Sequence, residues 1–185
     1  DHFIKVSRNP FIILIIITLI LSTVFGFYRV QGEIYTKRSE HFRAKQQWHQ
    51  VIKEIDKGFS PFYTIDQTSI PLKFYSGVAS YSLRDYTTAI ENWEHAKQHS
   101  PYNVHVLNNL GSSYVNSGQY PKAIESYQEL LIYYPWFSEA IANLAVAYIK
   151  NGNIEEALKL LDNRNIEKGR KNDIIKYLQT IGIDI

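Results

Sequence analysis

The hydrophobic pattern divides the chain into one continuous apolar run and a series of amphipathic periods. Residues 9–28 carry no charged side chain and are dominated by Ile, Leu and Phe, whereas apolar residues beyond residue 70 recur every three or four positions. The second pattern is typical of helices that bury one face. It predicts helices over 71–83, 86–99, 104–117, 120–133, 138–151 and 154–163, with a final helix near 170–181.

The predicted helices repeat with a spacing of 34 residues. Several residue types recur at that interval: Ala89, Ala123 and Ala157; Gly77 and Gly111; Tyr86 and Tyr120; Pro101 and Pro135; Tyr114 and Tyr148; Gly118 and Gly152. A helix pair of this length cannot bury its own apolar face, so copies must stack into one core. The pattern therefore predicts an all-α solenoid of antiparallel helix pairs, an architecture more typical of binding than of catalysis.

These repeats resemble the tetratricopeptide repeat family. The middle repeat carries Leu107, Leu110, Gly111, Tyr114, Tyr120, Ala123, Tyr127, Leu130 and Pro135, and the first carries Gly77, Tyr86, Ala89, Trp93, Ala96 and Pro101. The third carries Ile141, Leu144, Ala145, Tyr148, Ala157 and Leu161, then departs at Arg164 and Gly169. The resemblance implies a superhelix of stacked pairs. The resulting segments are 1–29 (transmembrane helix), 30–70 (degenerate pair and loop), 71–104, 105–138 and 139–169 (repeats) and 170–185 (capping helix).

The apolar run is long enough to cross a bilayer. Twenty uncharged residues, 9–28, would span about 30 Å as a helix, and Phe25, Phe27 and Tyr28 precede Arg29 as expected at a membrane interface. A cleavable signal peptide with Lys5 and Arg8 as its basic region and a buried helix of a soluble protein are the alternatives. Because the chain opens with Asp1 and not Met, we expect it to be a fragment of a longer protein.

The segment between the apolar run and the repeats shows a weaker helical pattern. Trp48, Val51, Ile52 and Ile55 fall on one helical face, so residues 33–58 are interpreted as a degenerate helical pair or one bent helix. Residues 59–70 are predicted to form the one long connection, which should pack its aromatic residues (Phe59, Phe62 and Tyr63) onto neighbouring helices.

A second, narrower resemblance concerns the setting of the repeats. The strings 61–79 and 100–111, which contain Pro61-Phe-Tyr-Thr and Ser100-Pro-Tyr-Asn, are similar to the C-terminal repeat region of membrane-bound O-antigen ligase or polymerase proteins of the Bacteroidetes type. The resemblance implies that residues 11–28 are the last membrane helix of a glycan-joining enzyme. The catalytic arginines and histidines of that family lie upstream, so no catalytic residue is expected in this chain. A free-standing single-pass scaffold for membrane or envelope complexes is the alternative.

The predicted partner-binding groove follows from the first helix of each repeat, which lines the concave face in this family. Tyr75, Asn109 and Asn143 are 34 residues apart, and asparagine amides offer both a donor and an acceptor to an extended peptide. The residues expected to border the same groove are Tyr81, His105, Asn108 and Ser112. The alternative is that these side chains are solvated or bond to neighbouring helices.

Composition and motifs argue against several other functions. Cys is absent, which excludes disulfides and thiolate chemistry, and the net charge of +2 comes without a basic stripe for nucleic acid. His95 and His99 lack a third ligand, so we expect no metal, and no cofactor-binding motif is present. Phe74, Glu139 and Asn143 occupy groove positions where capture of a terminal carboxylate requires Lys or Arg.

The location expected from the sequence is a cell (inner) membrane. Two basic residues precede the apolar run, and five follow it closely: Arg29, Lys37, Arg38, Arg43 and Lys45. By the positive-inside rule this distribution favours a cytoplasmic repeat domain, with the periplasm as the alternative.

Overall fold

The computed structural model describes residues 9–161, 166–180 and 182. Predictions that involve Lys5, Arg8, Arg164, Ile181 or the other remaining positions lie outside the described residues. The described part contains nine α-helices: α1 (Pro10–Ala44), α2 (Trp48–Gly58), α3 (Leu72–Ser82), α4 (Tyr86–His99), α5 (Val104–Asn116), α6 (Tyr120–Tyr133), α7 (Ser138–Lys150), α8 (Ile154–Leu161) and α9 (Lys168–Thr180). The all-α prediction is confirmed. The chain divides into two compact units, Asp1–Leu72 and Lys73–Ile185.

In the first unit, α1 runs without a break from the apolar residues into a polar half that packs on α2. The inward face of the polar half is made of small residues, Gly32, Thr36 and Ser39, all buried. Small side chains let two helices approach closely. A Cβ atom added to Gly58 of α2 would lie 3.2 Å from the carbonyl oxygen of Gly32. The C-terminal half of α1 and α2 therefore pack as a close helix pair.

Helix α2 buries one apolar face and one charged side chain, Glu54. Val51, Glu54, Ile55 and Gly58 are buried, whereas Trp48 and Ile52 of the predicted face are only half-buried. The Glu54 carboxylate accepts a hydrogen bond from Lys57 Nζ at 2.5 Å, and Arg38 Nη1 lies 4.0 Å away. Pairing with a cation is what makes a buried carboxylate tolerable.

In the second unit, successive helices pack in chain order from α4 to α8. One buried cluster joins the first two pairs to the start of the third, with Trp93, Leu107, Tyr127 and Leu144 among its members. A second cluster joins α7 and α8 to Ile174 and Leu178 of α9. The final helix therefore covers the end of the stack with two apolar residues.

The turn between the two helices of each repeat needs one residue in the left-handed region. Gly118 and Gly152 have φ of 79° and 85°, and Arg84, one repeat earlier, has φ of 63°. Glycine takes this conformation without steric cost, whereas a residue with a Cβ atom pays for it. The repeat geometry is therefore strong enough to hold an arginine in a glycine conformation.

Candidate functional site

The first helices of the three repeats, α3, α5 and α7, are joined side by side by polar side chains. We call the surface formed by Tyr81, Asn108, Asn109, Ser112, Asn116, Glu139 and Asn143 the first-helix face. Asn108, Ser112 and Asn116 are four residues apart on α5, so they follow one another along the same side of that helix.

Asn108 is the centre of the contact between α5 and α7. Its Nδ2 donates to Glu139 Oε1 at 3.0 Å, and its Oδ1 accepts from Asn143 Nδ2 at 3.2 Å. The Asn108 side chain is buried, while Glu139 and Asn143 are half-buried. Asn108 is therefore a structural bridge, and its two partners keep a surface open to solvent.

The contact between α5 and α3 lies at the other end of the row. Asn116 Nδ2 donates to the Tyr81 hydroxyl at 2.9 Å, and the Tyr81 ring packs edge-on against Tyr86 at 5.5 Å between centroids. Burial raises the pKa of Tyr81, Tyr86 adds to this, and the Asn116 amide opposes it. Tyr81 thus remains a neutral hydroxyl that can also donate.

Ser112, midway along the row, links α5 to the buried tyrosine of α6. Its Oγ lies 2.9 Å from the Tyr127 hydroxyl and donates to the Asn108 carbonyl oxygen at 3.0 Å. Burial raises the pKa of Tyr127 well above its ordinary value. The hydroxyl of the buried Tyr127 thereby reaches the first-helix face, where Ser112 contacts it.

The structure brings some of the predicted groove residues together and separates others. Asn108 and Asn143 are directly bonded, whereas Asn109 has no side-chain hydrogen-bond partner among the described residues and is half-buried. His105 is exposed one turn earlier on α5. Tyr75 is only 3% exposed, so its side chain belongs to the core and is not open to a partner.

The sequence did not predict two members of the first-helix face. Asn116 continues the four-residue spacing of Asn108 and Ser112, a signal that would have found it. Glu139 was considered only as a position where a basic residue was missing. Its hydrogen bond to Asn108 spans 31 residues, and no local pattern indicates such a contact.

A cleft, which we call the outer cleft, lies between α4 and α6, and none of its lining residues belongs to the first-helix face. This outer cleft has a volume of about 540 Å³, and its charged and aromatic lining is Glu94, Lys97, Tyr114, Lys122, Glu125 and Glu129. Lys97 Nζ bonds to Glu129 Oε2 at 2.5 Å, and the Tyr114 hydroxyl donates to Glu94 Oε1 at 2.5 Å. Burial and then Glu94 raise the pKa of Tyr114, which keeps the hydroxyl a donor.

An exposed aromatic edge accompanies the turns between repeats. Trp136 is 68% exposed and Tyr102 58%, and the rings of Tyr102 and Tyr133 meet edge-on at 4.7 Å between centroids. The run Tyr133-Tyr-Pro-Trp-Phe137 is the sequence signal for this edge.

Over residues 9–161, 166–180 and 182, no group of three or more His, Cys, Asp or Glu side chains is arranged to hold an ion. His95 and His99 lie with their rings 5.0 Å apart on α4.

Comparison with known proteins agrees with the repeat pattern and the fold. Residues 114–167 match the family model of the tetratricopeptide repeat. No curated protein sequence matches the chain significantly.

Solved structures provide the fold comparison. MamA from Desulfovibrio magneticus RS-1 is 17% identical, with 82% of each chain covered and a TM-score of 0.66. YrrB, described as a TPR protein with an unusual peptide-binding site, is 17% identical over 87% of this chain and 81% of its own, with a TM-score of 0.64. A tetratricopeptide repeat protein from Parabacteroides merdae is 18% identical over 82% of this chain and 66% of its own, with a TM-score of 0.65. The family model thus identifies a tetratricopeptide repeat over residues 114–167, and the solved structures share the solenoid fold.

Proposed function

We propose that this chain is a membrane-anchored tetratricopeptide repeat scaffold that binds an extended segment of a partner protein along its first-helix face. The observation that carries the proposal is the polar row that joins α3, α5 and α7 and buries Asn108, while Asn109, Asn116 and Asn143 stay at least partly exposed. One of the structural neighbours, YrrB, is described as having an unusual peptide-binding site, which makes a peptide the first partner class to test.

The chemistry of the face suits a peptide main chain. Asn109 and Asn143 are half-buried and each carries an amide that can donate and accept, which matches the alternating N–H and C=O groups of an extended segment. Glu139 contributes the one carboxylate of the face, and one of its oxygens bonds to Asn108. An acidic partner segment would have to lie beside this carboxylate, so a neutral or basic segment fits better.

The anchor in this proposal is the apolar half of α1. Among the described residues, α1 is the one helix long and apolar enough to cross a membrane, and its apolar window is entirely exposed. A core helix of a soluble protein would bury that window. The helix also continues unbroken from the apolar half to its packing against α2, which favours a retained anchor over a cleaved signal. We place the protein in a cell (inner) membrane with the repeats on the cytoplasmic side.

Two settings for the scaffold are distinguished by what precedes it. In the first setting the chain is the C-terminal accessory region of a polytopic O-antigen ligase or polymerase, as the resemblance of residues 61–79 and 100–111 implies. In that setting the repeats would position partners of a glycan-joining enzyme. In the alternative, a free-standing single-pass scaffold assembles membrane or envelope complexes. Several membrane helices upstream in the full reading frame would favour the first setting.

Site-specific crosslinking tests the binding face. A photoreactive benzoylphenylalanine that replaces His105, one turn from Asn108 and Asn109 on α5, should yield a discrete crosslinked adduct in native membranes. The Asn109→Ala and Asn143→Ala double variant should weaken this adduct, because it removes two partly exposed amides of the face. The matched control replaces Glu125 on α6, which lines the outer cleft, and should not form the same adduct. An adduct that persists unchanged in the double variant would contradict the proposed face.

A further inference from the structure

The loop of residues 59–70 in the first unit has a defined structure and is held against α1. Asp66 organises it: the backbone N–H donates to the Ile70 carbonyl oxygen at 2.9 Å, and Oδ1 accepts from the Thr68 and Ile70 N–H groups at 2.8 and 3.0 Å. Such local bonds make the loop a fixed feature of the surface.

Tyr63 holds the loop against α1 at the level of Gly32 and Glu33. Its side chain is buried, its hydroxyl donates to Glu33 Oε2 at 2.5 Å, and its ring lies where a Cβ on Gly32 would be 2.1 Å away. Burial and then the Glu33 carboxylate raise the pKa of Tyr63, so the hydroxyl remains a donor. Glycine at position 32 is therefore required for this docking.

From that point the loop reaches back to the end of the apolar run. The Phe62 ring lies 4.7 Å from the Phe25 ring and 5.3 Å from the Tyr28 ring, measured between centroids. Phe25 is one helical turn, about 6 Å along the axis, from Arg29. Despite these contacts Phe62 remains 49% exposed, and Ile65 is 37% exposed.

The polar border of this apolar surface lies at Arg29. Arg29 and the consecutive loop residues 62–67, which include Phe62, Ile65 and Asp66, line a small cavity of about 240 Å³. The surface is therefore apolar on the side of Phe25 and polar on the side of Arg29 and Asp66. Aromatic residues beside a basic residue at the end of an apolar helix are typical of the bilayer interface.

We infer that the 59–70 loop is a second membrane-contacting element, which inserts Phe62 and Ile65 into the lipid interface beside the end of the α1 anchor. The inference rests on the proposed membrane anchoring. The lipid bilayer is favoured as the occupant because the exposed ring of Phe62 is continuous with Phe25 and Tyr28 of the apolar helix. A protein partner would instead have to cover Phe62 together with Phe25 and Tyr28, which face lipid in the proposed anchor.

The absence of cysteine from the chain makes a depth measurement direct. Phe62→Cys and Ile65→Cys, each labelled with the environment-sensitive dye NBD, are reconstituted with the full chain into phosphatidylcholine–phosphatidylglycerol vesicles. Both labels should show blue-shifted emission. A nitroxide near the lipid headgroup should quench them more strongly than one deep in the acyl chains, so the ratio of shallow to deep quenching should exceed one. Ile65→Cys keeps the Phe62 contacts intact, so the test does not depend on one substitution.

Two matched labels separate the possible outcomes. Ile20→Cys, in the apolar half of α1, should be quenched most by the deep nitroxide, and Glu155→Cys on α8 should be quenched by neither. If Ile20 is quenched while both loop positions behave like Glu155, the loop inference is wrong and the anchor stands. Protection of the loop labels in native membranes but not in lipid vesicles would overturn the inference in favour of a protein partner. An unquenched Ile20 would contradict the anchor and the loop inference together.

Discussion

Glycines that face aromatic rings determine how closely the helices of each repeat approach. A Cβ on Gly77 would lie 2.7 Å from the ring of Trp93, and a Cβ on Gly111 would lie 2.7 Å from the ring of Tyr127. The third repeat carries Ala145 and Leu161 at the same positions, both buried in one cluster. In the third repeat, therefore, the first helix carries a larger residue than glycine, and the second helix carries a smaller residue than Trp or Tyr.

Gly111→Ala should lower the free energy of unfolding by about 1–2 kcal/mol. Overpacking costs about 1–3 kcal/mol and outweighs the gain of up to about 1 kcal/mol from better helix propensity, because the Tyr127 ring is fully buried. The measurement is urea denaturation of the full chain in detergent micelles. In a Tyr127→Leu background the same substitution should be neutral or stabilising. An equal loss in both backgrounds would refute the steric explanation.

His95 makes the stability of the repeat unit dependent on acid. Burial, then the neighbouring His99 and Lys73, lower the pKa of His95 below its ordinary value of 6.5. As the pH falls below 6.5, the unfolded chain takes up the proton before the folded chain does, so folded stability decreases. His95→Gln should therefore lose less stability than the wild type between about pH 7 and pH 5. Denaturation curves at several pH values measure this, with His105→Gln as the matched loss of one histidine. Identical slopes for wild type and His95→Gln would contradict the assignment.

At the scale of elements, α5 is the helix that organises the repeat unit. It contacts α4 and α6 through the apolar core and carries the polar row that reaches α3 at one end and α7 at the other. The polar row fixes how each helix is rotated about its own axis, because a hydrogen bond forms only when donor and acceptor face each other.

Asn108→Ala and Asn109→Ala should differ sharply although the residues are adjacent. Removing the Asn108 amide leaves Glu139 without a donor and Asn143 without an acceptor, a loss of about 1–2 kcal/mol for half-buried partners. Asn109→Ala should change stability by less than about 0.5 kcal/mol, because its side chain has no hydrogen-bond partner in the described part of the chain. Thermal melting monitored by circular dichroism compares them. Equal losses would mean that the amide bridge contributes nothing.

At the scale of the whole molecule, the proposed membrane attachment and the proposed partner recognition belong to different units. The unit Asp1–Leu72 contains the exposed apolar helix, its packing partner α2 and the loop that carries Phe62. The unit Lys73–Ile185 contains the stacked pairs and the first-helix face. In the proposed scaffold the first unit fixes the protein to the bilayer and the second selects the partner.

The sequence by itself determined the helices of the repeats and the apolar anchor candidate, but not the continuous helix α1, Pro10–Ala44, that joins the apolar run to the partner of α2. These features depend on local periodicity: an apolar stripe every three or four residues, glycine at the tight turns and a repeat of 34 residues. Burial of Ala89, Ala123 and Ala157 follows directly from that pattern.

Only the tertiary structure decided which side chains meet between helices. Asn108 and not Asn109 bridges to α7, Tyr75 is buried and not accessible, and Phe62 lies on Phe25. Each outcome depends on the rotation and offset of one helix or loop against another, and residues more than 30 positions apart set these jointly. Neighbouring positions on a helix point about 100° apart, so a small rotation exchanges a buried bridge for an accessible amide.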